Sequence, residues 1–152
     1  MFLDSLDKTI LRQLQTDASV SNLKLASIVG LSAPACFKRV KKLEREGIIA
    51  KRVALLNPEK LGPSLHMIVE VMMSQDRSDL TAAFAQQAKA APEVNACYKV
   101  TGEVDFVLIV TVKDMQCYET FCNRVIYADP NMKNFRTLIS INRIKYDTQI
   151  PI

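Results

Sequence analysis

Apolar residues recur every three or four positions over the first third of the chain, and at every second position from Ser64 onward. The first spacing predicts helices and the second predicts strands. Over residues 4–16, Leu6, Ile10 and Leu14 form one apolar face, with Asp4 as candidate N-cap and Asp7 at the third helical position. A loop at Asp17-Ala18-Ser19 follows. Leu23, Leu25, Ala26 and Ile28 then make a second short amphipathic segment, capped by Ser21 and broken at Val29-Gly30-Leu31-Ser32. A third segment opens at Ser32, a good N-cap. Pro34 falls in its first turn, where a missing N–H costs little, and the segment runs to Glu46 and stops at Gly47. Helix, glycine turn, helix is the helix-turn-helix pattern, and the first helix completes a tri-helical unit.

On the third helix, Cys36, Val40 and Leu43 share an apolar stripe. Ala35, Lys38, Lys42 and Arg45 point the opposite way, with Arg39 and Lys41 on the flanks. A helix that starts with the small residues Ser32, Ala33, Pro34 and Ala35 can bring its N-terminus deep into a major groove, where base edges are read. Lys38, Arg39, Lys42 and Arg45 would then neutralise phosphates. A merely solvated basic helix has the same composition; the preceding helix, the glycine turn and the cap favour DNA. Charge distribution agrees. The net charge is +4, yet residues 1–57 hold ten Lys/Arg against five Asp/Glu, while residues 58–152 hold ten against eleven.

Ile48–Leu56 reads as a strand or extended hinge, and 57–63 (NPEKLGP) as the boundary between a DNA-binding domain, 1–57, and a second domain, 58–152. In the latter, Leu65, Met67, Val69, Val71 and Met73 alternate with His66, Ile68, Glu70 and Met72. A helix over 77–91 carries Leu80, Phe84 and Ala88. Strands follow at 94–100 and 104–113, then a helix capped by Asp114 with Met115, Tyr118, Cys122 and Val125 inward. A break at 128–131 precedes a last strand at 136–146. The order β-α-β-β-α-β is the ferredoxin-like unit, so the fold class is α+β. Two helices cover one sheet face; the other face predicts a second copy of the chain.

Several function classes are set aside. No apolar run spans eighteen residues and no N-terminal signal is visible, which predicts a cytoplasmic protein without a membrane partner. Cys36, Cys97, Cys117 and Cys122 lack CxxC spacing, and with the single histidine, His66, they are poor material for a metal site. No cofactor motif or catalytic constellation is found, and His66 reads as a core or interface residue.

The chain resembles the Lrp/AsnC (feast/famine) transcriptional regulators. The resemblance rests on Leu3-Asp4-x-x-Asp7-x-x-Ile10-Leu11, Leu14-Gln15, Leu25-Ala26, Gly30-Leu31-Ser32, Arg39-Val40-x-x-Leu43-x-x-x-Gly47-Ile48-Ile49, Thr101-Gly102-Glu103-x-Asp105, Ile144-Lys145 and Ile150-Pro151-Ile152. It implies double-stranded DNA as partner, homodimers that often assemble into octamers, and a small effector, usually an amino acid, bound between C-terminal domains. Asp129-Pro130-Asn131-Met132 and Arg136-Thr137-Leu138 depart from the family pattern beside the effector site, so leucine is not carried over as the ligand.

The Thr101-Gly102-Glu103-Val104-Asp105 turn is the effector candidate. Gly102 lets backbone pass close to a ligand, exposed N–H groups suit a carboxylate, and Glu103 or Asp105 suits an ammonium. Thr137 is expected to contribute from the partner chain. Taken without the resemblance, the same residues read as an ordinary β-turn with solubilising acids. Two other functions stay open on the sequence. One is an architectural DNA-binding protein without effector. The other is a sirohaem-decarboxylase-like enzyme, which a single histidine disfavours.

Overall fold

A computed structural model describes residues 2–152; Met1, where the expected DNA-binding domain begins, lies outside them. The described chain forms two units, residues 2–56 with 145–152, and residues 57–144.

The first unit holds α1 (Ser5–Thr16), α2 (Asn22–Val29) and α3 (Ala33–Arg45). Each start is sealed as the sequence requires. The Asp4 carboxylate accepts from Asp7 N at 2.8 Å, and the Asp7 carboxylate from Asp4 N at 3.4 Å. Ser21 caps α2 and Ser32 caps α3. Gly30 ends α2 at φ +70°, a left-handed conformation that glycine adopts without a Cβ penalty. Ile10, Leu14, Leu25, Val29, Cys36, Val40 and Leu43 make the core. Leu23 and Ile28, expected on the apolar face of α2, are exposed, because eight residues bury only one narrow stripe through Leu25, Ala26 and Val29.

The stretch Ile48–Leu56 forms no strand. Its apolar residues Val53, Leu55 and Leu56 lie exposed, since no neighbouring strand supplies ladder hydrogen bonds. The tail over 145–152, assigned to the second domain from sequence, instead packs with the helical unit; Ile152 lies against its core.

The second unit holds β1 (Leu65–Met73), α4 (Ser78–Ala90), β2 (Val94–Lys99), β3 (Phe106–Val112), α5 (Met115–Phe121) and β4 (Met132–Ile139). The sheet is antiparallel throughout, in the order β2-β3-β1-β4. Met67, Val69 and Val71 of β1 and Phe106, Leu108 and Val110 of β3 are fully buried with Phe84, Phe121, Val125 and Ile126. Phe84 and Phe106 meet with ring centroids 5.0 Å apart. The opposite face presents His66, Ile68, Glu70, Val107, Ile109 and Thr111, all half-buried.

Three expectations shift here. β4 starts four residues before the predicted strand, its register running against Met67–Met73, and ends at Ile139, with a last backbone bond from Ser140 N to His66 O at 2.8 Å. Met115 is exposed rather than inward, being the first residue of its helix. The second helix of this unit changes to a π-turn over Cys122–Ile126, closed by Tyr127 N donating to Cys122 O at 2.9 Å.

Candidate nucleic-acid interface and effector site

Burial of Cys36, Val40 and Leu43 fixes the roll of α3, so the opposite face is decided by periodicity. Ser32, Pro34, Lys38, Lys42 and Arg45 are exposed on it, with Ala33 and Ala35 half-buried at its start. Among the described residues Lys38 and Lys42 make no ion pair. Arg45 pairs with the adjacent Glu46 at 3.3 Å. Lys41 pairs with Glu44 and lies 5.6 Å from the centroid of the exposed Phe37 ring. Sequence reasoning passed over Phe37; its place beside a lysine on the basic helix was the available signal.

Arg39 is already paired within the chain. Its Nη1 donates at 2.7 Å to both Asp4 and Asp7, the two residues that cap α1. The guanidinium therefore fastens α3 to the start of α1. The capping hydrogen bond from Asp7 N, then Arg39, holds the Asp4 carboxyl below its ordinary range, and the same pairing holds the Arg39 guanidinium more firmly protonated.

In the second unit the Thr101–Val104 turn joins β2 to β3, with Thr101, Gly102 and Glu103 exposed. Gly102 sits at φ +121°, and an added Cβ would meet nothing within 4 Å, so its need for glycine is conformational. Asp105 is committed in part. Its Oδ2 accepts from Met73 N at 2.7 Å, and its backbone bridges Val71 O and Val100 N. It extends the sheet by one rung at the edge of the turn. Thr137 is not brought to this turn within one chain. It lies opposite Val69 on the helix-covered face, where its hydroxyl hydrogen bonds with the Tyr118 hydroxyl. Burial pushes both the Tyr118 phenol and the neighbouring Cys122 thiol up.

A cavity of about 500 Å³ opens between α5 and β4, lined among others by Met115, Tyr118, Glu119, Tyr127 and Phe135. His66 has Nδ1 at 3.0 Å from Thr111 Oγ1 and at 3.2 Å from an Arg143 nitrogen, and burial followed by that cation holds the imidazole below its ordinary pKa. Among the described residues no group of three His, Cys, Asp or Glu could hold a metal, and no helix is long and apolar enough to cross a membrane.

The family model for a winged helix-turn-helix DNA-binding domain matches residues 3–50, and that for the Lrp/AsnC ligand binding domain matches residues 66–150. The chain belongs to the Lrp/AsnC family. The DNA-binding transcriptional activator DecR of Escherichia coli is 35% identical over 150 residues, covering 99% of both chains. Two solved Lrp/AsnC-like structures superpose with a TM-score of 0.89. The AsnC family transcriptional regulator from Agrobacterium tumefaciens is 34% identical, covering 97% of this chain and 96% of that one. A transcriptional regulator of Neisseria meningitidis in complex with L-Met is 30% identical, covering 99% and 97%. This chain is thus a DNA-binding transcriptional regulator of the Lrp/AsnC type with a ligand-binding domain, and its relatives are regulators rather than enzymes.

Proposed function

We propose that the protein reads a specific DNA sequence as a homodimer, with the N-terminal turn of α3 in the major groove, and that an amino acid bound at a subunit interface modulates this. The observation that carries the DNA reading is the division of labour on α3. Arg39 anchors the helix, while among the described residues Lys38 and Lys42 make no ion pair on the exposed face. Ser32, Ala33, Pro34 and Ala35 form the leading edge toward the bases, and Lys38, Lys42 and Arg45 meet phosphates. Lys38→Ala and Lys42→Ala should each lower the slope of log affinity against log salt by about one on a duplex that the wild type selects from a random pool. Unchanged slopes in both variants would return the helix to a solvated role. Ala35→Glu should abolish binding.

For the effector, the exposed Thr101-Gly102-Glu103 backbone supplies N–H groups for a carboxylate. Glu103 and the Asp105 oxygen not used by Met73 supply acceptors for an ammonium. The L-Met bound by the Neisseria relative is of this zwitterionic class. Thr137 acts at one remove, by holding Tyr118. A thermal-shift screen of the twenty amino acids identifies the ligand, since binding to the native state raises its stability. Asp105→Asn, which keeps an acceptor for Met73 N, should weaken the best hit in titration calorimetry. It should leave effector-free DNA binding intact, the coupling between the two ligands being about 1–3 kcal/mol. If Tyr127→Ala removes binding and Asp105→Asn does not, the ligand occupies the α5–β4 cavity instead. No response to any amino acid would favour an architectural DNA-binding protein.

A further inference from the structure

Residues 141–149 are exposed and carry no secondary structure, yet the chain beyond them is held in a defined way. The Gln15 side chain reads both backbone groups of one tail residue. Its Nε2 donates to Ile150 O at 3.0 Å, and its Oε1 accepts from Ile150 N at 2.6 Å. Three residues earlier on the same face of α1, Arg12 Nε donates to Ile152 O at 3.0 Å, and its terminal nitrogen donates to the same oxygen. The spacings match: three helical residues rise about 4.5 Å, and two extended residues span about 6.6 Å, within reach of two long side chains. The tail therefore runs antiparallel to α1. Pro151, between the two gripped residues, brings no N–H that would need a partner against the helix. Ile152 then enters the core of the helical unit.

We propose that residues 150–152 are a built-in peptide ligand of α1, and that this latch ties the cooperative stability of the helix-turn-helix to the α/β unit. The helical unit is joined to the rest of the chain through residues 50–57 on one side. The latch adds a second chain connection, because residues 145–152 belong to the helical unit while β4, ending at Ile139, belongs to the other. An amide fork and a guanidinium aimed at main-chain oxygens recognise an extended backbone rather than particular side chains. Ile152 supplies the apolar anchor. The docking does not rest on the DNA-binding reading.

The test is made on the full chain. Wild type should melt in a single calorimetric transition. Gln15→Ala, with Arg12→Ala added in a double variant, should split off a lower-temperature transition of the helical unit and leave the α/β transition in place. Exchange of the Ile150 amide should quicken at least tenfold. A chain shortened after Lys145 should behave as the double variant does, and a synthetic peptide of residues 147–152 should restore the helical transition in it. Identical melting and identical Ile150 exchange in wild type and double variant would overturn the proposal. Failure of the wild type to select any duplex would sink the DNA-binding reading and leave these readouts unaffected.

Discussion

Removing the Arg39 guanidinium leaves the Asp7 carboxylate, only 6% exposed, without the cation that it meets at 2.7 Å. An acceptor stranded in this way costs about 1–3 kcal/mol, so Arg39→Ala should lower the melting temperature of the helical unit, whereas Lys42→Ala should not. Calorimetry of the two variants side by side separates anchor from contact. The Asp4 part of this cluster has a definite pH sign. Its folded pKa lies below the ordinary 3.8, so its contribution is complete above that value and is lost as the pH falls through the folded value. In the sequence, Arg39 is one cation among seven in Lys38–Arg52, and nothing in the string distinguishes a paired guanidinium from a free one. What selects it is the arrival of two α1 carboxylates some thirty residues away. Asp105 escaped for the same reason: its partner, Met73 N, becomes available only once β1 lies alongside β3.

Among the elements, those with local start and stop chemistry were legible. Asp4, Ser21, Ser32 and Asp114 cap the helices that they were expected to cap. Alternation along β1 separated its two faces; Met67, Val69, Val71 and Met73 are the buried set, with Leu65 half-buried at the strand start. Elements whose limits depend on a neighbour were not legible. Ile48–Leu56 has strand composition and no ladder, and the start of β4 is set by its register against Met73 of β1. The π-turn over Cys122–Ile126 inserts one residue into a periodicity that had placed Val125 correctly. The turn at Gly30 offers a quantitative check. A Cβ there meets nothing within 4 Å, so substitution costs only the left-handed backbone, about 1–2 kcal/mol. Gly30→Val should destabilise more than Gly30→Asn in denaturant titration, because asparagine tolerates that conformation.

For the molecule as a whole, the sheet face bearing Ile68, Glu70, Val107 and Ile109 decides assembly. These residues are half-buried in the single chain, and neither helix of the α/β unit covers them. A second copy is the proposed cover. Ile109→Arg, on the central strand β3, should convert the full-length protein from dimer to monomer in sedimentation velocity, with helix content kept. A variant still dimeric would place the interface elsewhere. Periodicity made this face visible in the sequence, as two apolar sides with helices for only one. The docking of residues 145–152 with the helical unit stayed hidden, because a short exposed tail has no periodicity to read, and its partner Gln15 looks like any polar helix residue.

A unit assembled from residues 2–56 and 145–152 also has a timetable. On the ribosome its three helices emerge first, but Ile152 and the backbone groups that Gln15 and Arg12 grip are added only after all of residues 57–144 have been translated. At about 5–20 residues per second this is an interval of roughly 4–18 s. Through that time the DNA-reading helices exist next to a vacant α1 face. The nascent chain therefore completes its reader only after its ligand-binding unit has been made.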